Sequence, residues 1–495
     1  MKKVLFLTLA FFLLFAGCLS NQDSKQKYTR ANVDQMLPPP EGTLPSGVVY
    51  ADLEKEIDIW VEKYKDKMAA MSVSVFTAQG VLLEKTYGYT NIEDKVLNDA
   101  DTTFEWGSIT KTLTWVSAMQ LVEQKKLDLN ADIRKYIPKG FFSKLRYDDP
   151  ITMLHLMNHT SGWPFAPHGV SVIPVSGDYK PVGELADELR KLEPIQNTKP
   201  GESQVYSNYS TSVAAYVIEC ISGMPFYEYV RTNIFEPLGM KRTALKADLS
   251  DNEWVKLQRE RLNCYWDDSL LGVNSMGTAQ EQYIIYPAAM GTGTISDLRR
   301  YGQALLADTD GNSPLFKKSK TLALLYEPTN EVVMPGDYNF NHGFIAFKRS
   351  YRKSMIGHSG STRGCSANLI FDHELGVGIA VMMNQAGGDY FRYAMPDLIF
   401  GPYPTGIGEG ELEFLGLAKA TKEGIRITWT PEDEATEYLI LRSPNARGLG
   451  TQINEILATG GEYLDTTADP DTSYIYTIVK NGGNAKYGVK AIYRK

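Results

Sequence analysis

Apolar residues recur at helical spacing from Leu53 to Met68, which turns one face of that segment inward. From Met71 to Phe76 the pattern becomes the alternation of a strand. Ala78-Gln79-Gly80 then turns the chain into a second strand, Val81 to Tyr87. Helical patterns return over Thr110 to Lys126 and Ser210 to Ser222. Strand patterns close the region at Ile345 to Lys348, Ser366 to Phe371 and Gly376 to Met383. Strands at both ends with helices between them predict an α/β (α+β) domain: one antiparallel sheet whose middle is interrupted by a helical region. After Gly401-Pro402 the pattern changes to short alternating runs, Ile425 to Trp429, Tyr438 to Leu441, Tyr474 to Val479 and Tyr487 to Tyr493, which predict a small C-terminal β-sandwich.

The N-terminus has a different pattern. Lys2 and Lys3 precede an apolar run from Val4 to Ala16, followed by Gly17 and Cys18, the layout of an export signal. The run falls short of the roughly 20 residues that span a membrane. From Leu19 to about Pro45 the chain is polar and contains Pro38, Pro39 and Pro40, which predicts a tether. The expected division is therefore a signal over 1–17, a tether over 18–46, a large domain over 47–403 and the sandwich over 408–495.

Composition narrows the function. Of 495 residues, 43% are apolar and 22% charged, a globular balance that excludes a disordered or collagen-like chain. The net charge of -8 gives no electrostatic reason to bind nucleic acid. Beyond Cys18 there are Cys220, Cys264 and Cys365, too widely spaced for a CxxC metal pair. They are expected as buried free thiols, although an exported chain permits one disulfide.

Several hydrolytic signatures are absent. No serine lies in G-x-S-x-G, and His155 and His159 flank Leu156 where a zinc protease needs a glutamate after the first histidine. A structural or loop-positioning role is expected for both histidines, and no metal or cofactor site is predicted. Ser-x-x-Lys occurs at Ser24–Lys27, Ser108–Lys111 and Ser350–Lys353. Only Ser108 opens a dense apolar run, "ITKTLTWVSAMQLVEQ", so it stands where a helix begins and backbone N–H groups are free. One turn separates it from Lys111, whose amine, if poorly solvated, can act as base for the serine. The competing reading makes Ser108 a simple helix cap.

Two further motifs tilt that balance. Tyr206-Ser207-Asn208 sits in a loop feeding a helix, and His358-Ser359-Gly360 stands between strand-like segments, with Gly360 permitting close backbone approach. The ordered set Ser108/Lys111, Tyr206/Asn208 and His358/Gly360 resembles the class C β-lactamase and penicillin-binding-protein superfamily of serine hydrolases. The landmarks "LMNHTSGW", "PLGM" and "GTISDLRRYGQALL" agree with it over roughly 350 residues.

The resemblance implies an α/β sheet flanked by helices, with an all-helical portion beside the active-site groove. It implies that Ser108 forms an acyl-enzyme, that Lys111 and Tyr206 share the proton transfers, and that Asn208 hydrogen-bonds Lys111 or a substrate amide. Backbone N–H groups of Ser108 and Ser361 would form the oxyanion hole, worth roughly 2.7–4 kcal/mol per donor. His358 stands where β-lactamases and DD-peptidases usually carry a lysine that anchors the substrate carboxylate. A histidine is a weaker anchor at neutral pH, and Arg363 is the candidate to restore a cation.

Cys18 after Ala16-Gly17 resembles the lipobox of bacterial lipoproteins, with Phe15 departing from the usual aliphatic residue. Trp429 with Pro431, "YLILRS" and "YLDTTADPDTSYIYTI" resemble a bacterial fibronectin type III domain, implying a spacer or a carbohydrate- or protein-binding module. Three functional classes follow. The first is an exported serine hydrolase on an ester or amide: an esterase, a D-amino-acid peptidase or a weak β-lactamase. The second is a penicillin-binding cell-wall protein with slow turnover, and the third a non-catalytic surface-binding lipoprotein. The expected partners are a small-molecule or peptide acyl substrate and, through a lipid on Cys18, the outer side of the cytoplasmic membrane or the outer membrane. Any cell-wall or carbohydrate contact is expected through the C-terminal domain.

Overall fold

The computed structural model describes residues 33–165, 170–174, 183–268, 272–308, 310–329, 339–347, 354–387, 391–401, 415–429, 435–443, 451–472, 474–481 and 489–493. The export signal, Cys18, the first part of the expected tether and the Ser350–Lys353 motif lie outside them.

An eight-stranded sheet organises the large domain. Strands β1 (Ala70–Thr77), β2 (Gly80–Asn91) and β3 (Val96–Leu97) come from its start. Strands β4 (Asn339–Asn341), β5 (Phe344–Ala346), β6 (Met355–Ser361), β7 (Ser366–Asp372) and β8 (Val377–Met383) come from its end. Their order is β4-β5-β6-β7-β8-β1-β2-β3, so the two ends of the domain meet where β1 pairs antiparallel with β8, Ser72 opposite Met382. The longest elements of the intervening chain are helices, as the pattern predicts, with several short strands among them.

Both faces of the sheet are covered, which explains why β1 is buried along nearly its whole length instead of alternating with solvent. On one face lie α1 (Leu53–Tyr64) and, from the end of the domain, the helix Phe391–Phe400. Ile57, Trp60, Leu398 and Ile399 pack there against Val73, Val75 and Val381. On the other face α2 (Lys111–Glu123), α3 (Asn208–Ser222) and α4 (Ile295–Leu305) build the larger core around Trp106, Trp115, Val213 and Leu298. Helix α2 is buried from Lys111 through Leu121, so its apolar residues are not confined to one stripe.

The tether expected over 18–46 is corrected from Val33 onward, because these residues are part of the domain. Arg299 Nη1 donates to the Val33 carbonyl at 2.8 Å, and Asp34 accepts from both Arg299 and Arg300. Leu37 and Gln35 exchange backbone hydrogen bonds with Val81, and Leu44 is buried beside α1. The polar composition misleads because a strap lying on a domain needs only a few inward side chains; its other groups face water.

The C-terminal strands form their own seven-stranded sheet, in the order Thr451–Gln452, Tyr438–Ser443, Tyr474–Lys480, Val489–Tyr493, Leu415–Ala420, Ile425–Thr428, Glu462–Asp465. A parallel pairing of Leu415–Ala420 with Val489–Tyr493 joins two antiparallel groups. Ile425, Ile427, Trp429, Tyr438, Ile440, Tyr476 and Ile478 fill its separate core.

Candidate active site

Ser108 sits on a single 3-10 turn, Gly107–Thr110, that runs directly into α2. The residue preceding α2 is Thr110 and no side chain caps the helix, so the reading of Ser108 as a cap is corrected. The Ser108 side chain is half-buried, while Lys111, one turn later, is fully buried. Lys111 Nζ lies 3.0 Å from Ser108 Oγ and donates to the Ala288 carbonyl at 2.7 Å. Burial pushes its pKa well below the usual lysine value. In its neutral form the amine can keep one N–H on Ala288 and turn its lone pair to the serine hydroxyl, the arrangement a general base requires.

Tyr206 precedes α3, whose N-cap is Ser207: the Ser207 hydroxyl accepts from Ser210 N–H. The Tyr206 ring centroid is 4.9 Å from Lys111 Nζ. Asn208, the first residue of α3, is buried and its Oδ1 has no hydrogen-bond partner among the described residues. The amine of Lys111 is turned to Ser108 and Ala288, so the expected bond from Asn208 to Lys111 is not formed among the described residues. That leaves Oδ1 as an open acceptor.

His358 lies within β6 rather than between strands, as does Gly360. Glycine at 357 and 360 weakens the alternation that marks a strand, which explains why the pattern conceals β6. His358 is buried, and its Nδ1 donates to the Ser359 carbonyl at 2.6 Å. Burial first, and Lys111 second, lower its pKa to about 3. At neutral pH it is an uncharged imidazole, 6.4 Å ring to ring from Tyr206, and supplies no cation. Arg363 is exposed in the turn between β6 and β7 and makes no hydrogen bond or ion pair among the described residues. Phe165, 59% exposed, places an aromatic ring 6.5 Å from that of Tyr206.

The end of β6 presses on the turn that carries Ser108. A Cβ on Gly360 would fall 1.9 Å from the Trp106 carbonyl oxygen and 3.1 Å from Ser108 N. One on Gly107, whose φ of +53° already favours glycine, would fall 2.6 Å from Ser361 N. Two glycines thus bring the backbone amides of Ser108 and Ser361 into one neighbourhood, as an oxyanion hole needs. Arg392 Nη1 holds the Gly360 carbonyl at 2.8 Å from behind. Arg392 and the Ala288 carbonyl escape a reading of the sequence: one acts on a strand far along the chain, the other through its main chain. His159, expected in a structural or loop-positioning role, is buried beside Tyr206 with ring centroids 4.3 Å apart. The cysteines Cys220, Cys264 and Cys365 are free thiols, the last two buried.

Comparison with known proteins gives the family and the fold. Residues 57–400 match the family model described as Beta-lactamase. The chain is 27% identical over 321 residues to a penicillin-binding protein of Bacillus subtilis (strain 168), covering 61% of this chain and 65% of that one. It is 26% identical over 200 residues to a putative D-alanyl-D-alanine carboxypeptidase of Salmonella paratyphi B, covering 38% and 46%. The matches therefore span less than two thirds of these relatives' lengths. Among solved structures, the octameric penicillin-binding protein homologue from Pyrococcus abyssi superposes with a TM-score of 0.61 at 20% identity, covering 86% of this chain and 98% of that one. The D-amino acid amidase from Ochrobactrum anthropi SV3 gives 0.56 at 21% identity, covering 73% and 96%. These two likenesses establish the fold. With the family model spanning the large domain and the Ser108–Lys111 pair at its centre, the chain belongs to the β-lactamase family of serine hydrolases.

Proposed function

We propose that the protein is an exported, lipid-anchored hydrolase that cleaves a carboxylic ester or amide through an acyl-enzyme on Ser108. The observation that carries this reading is the buried amine of Lys111, with no ion-pair partner among the described residues, at 3.0 Å from Ser108 Oγ. Ser108 Oγ attacks the acyl carbonyl as its proton passes to Lys111 Nζ, and the backbone N–H groups of Ser108 and Ser361 receive the developing oxyanion. Tyr206 relays that proton from Lys111 to the leaving group; in deacylation it takes a proton from the attacking water while passing its own through Lys111 to Ser108 Oγ as the ester bond breaks. The buried Oδ1 of Asn208 accepts a donor of the substrate, such as an amide N–H.

The neutral His358 favours esters, D-amino-acid amides or peptides over β-lactams, whose carboxylate calls for a fixed cation. The exposed Phe165 at the rim suits an apolar acyl or leaving group. Export rests on the Lys2-to-Cys18 pattern, and residues 408–495 are read as a fibronectin type III-like module, with their separate apolar core in support.

A panel of short-chain aryl esters, D-alanyl peptides and a chromogenic cephalosporin, run beside Ser108→Ala, tests the reading. The expected result is ester or D-amide turnover at least about 10³-fold above the mutant, with weak cephalosporin hydrolysis. Equal turnover by Ser108→Ala overturns the assignment. A stoichiometric penicillin burst followed by a stable adduct favours the slow-turnover penicillin-binding alternative instead.

A further inference from the structure

We propose that His159 is a positioning residue that fixes Tyr206 for proton transfer, an inference that rests on the role given to Tyr206 above. The contacts come from one residue and reach Tyr206 on three sides. The His159 carbonyl accepts from Val205 N–H at 2.8 Å, immediately before Tyr206. Its Nδ1 accepts from Ser207 N–H at 3.1 Å, immediately after. Its ring lies against the phenol ring, centroids 4.3 Å apart and planes at 34°. The loop can neither slide along its own axis nor swing its ring outward without breaking one of the three.

The position is costly to maintain. His159 adopts φ +56°, a left-handed conformation that only a few per cent of non-glycine residues adopt, chiefly asparagine, aspartate and histidine. It is 1% exposed, and its Nε2 has no hydrogen-bond partner among the described residues. Because Nδ1 accepts a backbone N–H, the ring proton must sit on Nε2 and the imidazole must be neutral. Burial holds it in that form. Phe340, 5.1 Å away, and Trp115, 6.5 Å away, pack the ring from other sides. Local strain with a buried unpaired donor persists where surrounding packing enforces it, and such sites cluster at functional centres. Here the residue held is Tyr206.

A double-mutant cycle separates positioning from mere structural support. His159→Ala is expected to lower kcat about 10- to 100-fold with KM changed less than about threefold, as loss of a transition-state-only interaction does. His159→Asn, which tolerates the left-handed backbone and offers Oδ1 to Ser207 N–H, is expected to recover about a third to a half of that loss on a logarithmic scale. Tyr206→Phe combined with either variant is expected to be no slower than Tyr206→Phe alone, because the positioned group is already gone. Losses that multiply in the double mutants, or His159 variants with wild-type kcat beside a slow Tyr206→Phe, overturn the inference. A Tyr206→Phe enzyme as fast as wild type instead overturns the proton-transfer role beneath it, and the inference with it. Should His159→Ala not fold, as judged by circular dichroism, His159→Asn carries the same cycle.

Discussion

Ser108 and Lys111 are legible as a pair because their relationship is local: three residues make one turn, and a dense apolar run buries whatever lies inside it. Their partners are less legible in proportion to sequence distance. Nothing near Ala288 marks its carbonyl as the acceptor for Lys111, since every residue carries one. The same holds for the protonation state of His358, which depends on burial by segments hundreds of residues away. That state has a measurable consequence. In the unfolded chain the group titrates near 6.5, and in the folded protein near 3. Between these values the unfolded state binds more protons, so this contribution to stability is complete above about pH 6.5 and is lost as pH falls toward 3. Thermal unfolding midpoints measured from pH 8 to 4 are expected to fall more steeply for the wild type than for His358→Asn, which has no proton to take up. Identical slopes would refute a neutral buried imidazole.

At the scale of elements, the pattern locates helices and long strands well, and fails at β6. That strand carries two glycines, and its job is to approach the turn before α2 closely rather than to fill a core. The physics that hides it from a periodicity argument also makes it sensitive. Gly360→Ala sets a methyl group 1.9 Å from the Trp106 carbonyl, so strand and turn must separate. A displacement near 1 Å costs on the order of 100-fold in a well-aligned site. We expect acylation of Ser108 to slow by about that factor while the circular dichroism spectrum is unchanged. An acylation rate within threefold of wild type means that the two amides do not act together. Four of the seven C-terminal strands were legible for the opposite reason: their apolar residues mark a buried face, as Ile425 and Ile427 do around the exposed Arg426.

For the whole molecule, the composition of the N-terminus suggests a longer free tether than the structure allows. The strap is bound from Val33, where Arg299 and Arg300 grip Val33 and Asp34. A lipid on Cys18 is 33 minus 18, or 15, residues from that grip, a reach of at most roughly 50 Å when fully extended. The hydrolase domain would thus work close to a membrane surface. Fractionation is expected to find the wild type with membranes and Cys18→Ala in the soluble fraction, each with the same turnover of a soluble ester. A Cys18→Ala protein that stays with membranes removes the anchor from the proposal.

The pairing of β1 with β8 also sets a clock. β1 ends at Thr77, yet its central neighbour in the sheet ends only at Met383. During synthesis at roughly 5–20 residues per second, β1 and β2 wait on the order of 15–60 s as a lone hairpin before the sheet can close. A two-stranded hairpin is marginal in water, so the apolar strand Ala70–Thr77 spends that interval exposed. If the chain is exported as proposed, late closure would keep the polypeptide threadable, at the cost of a longer exposure of its apolar strands.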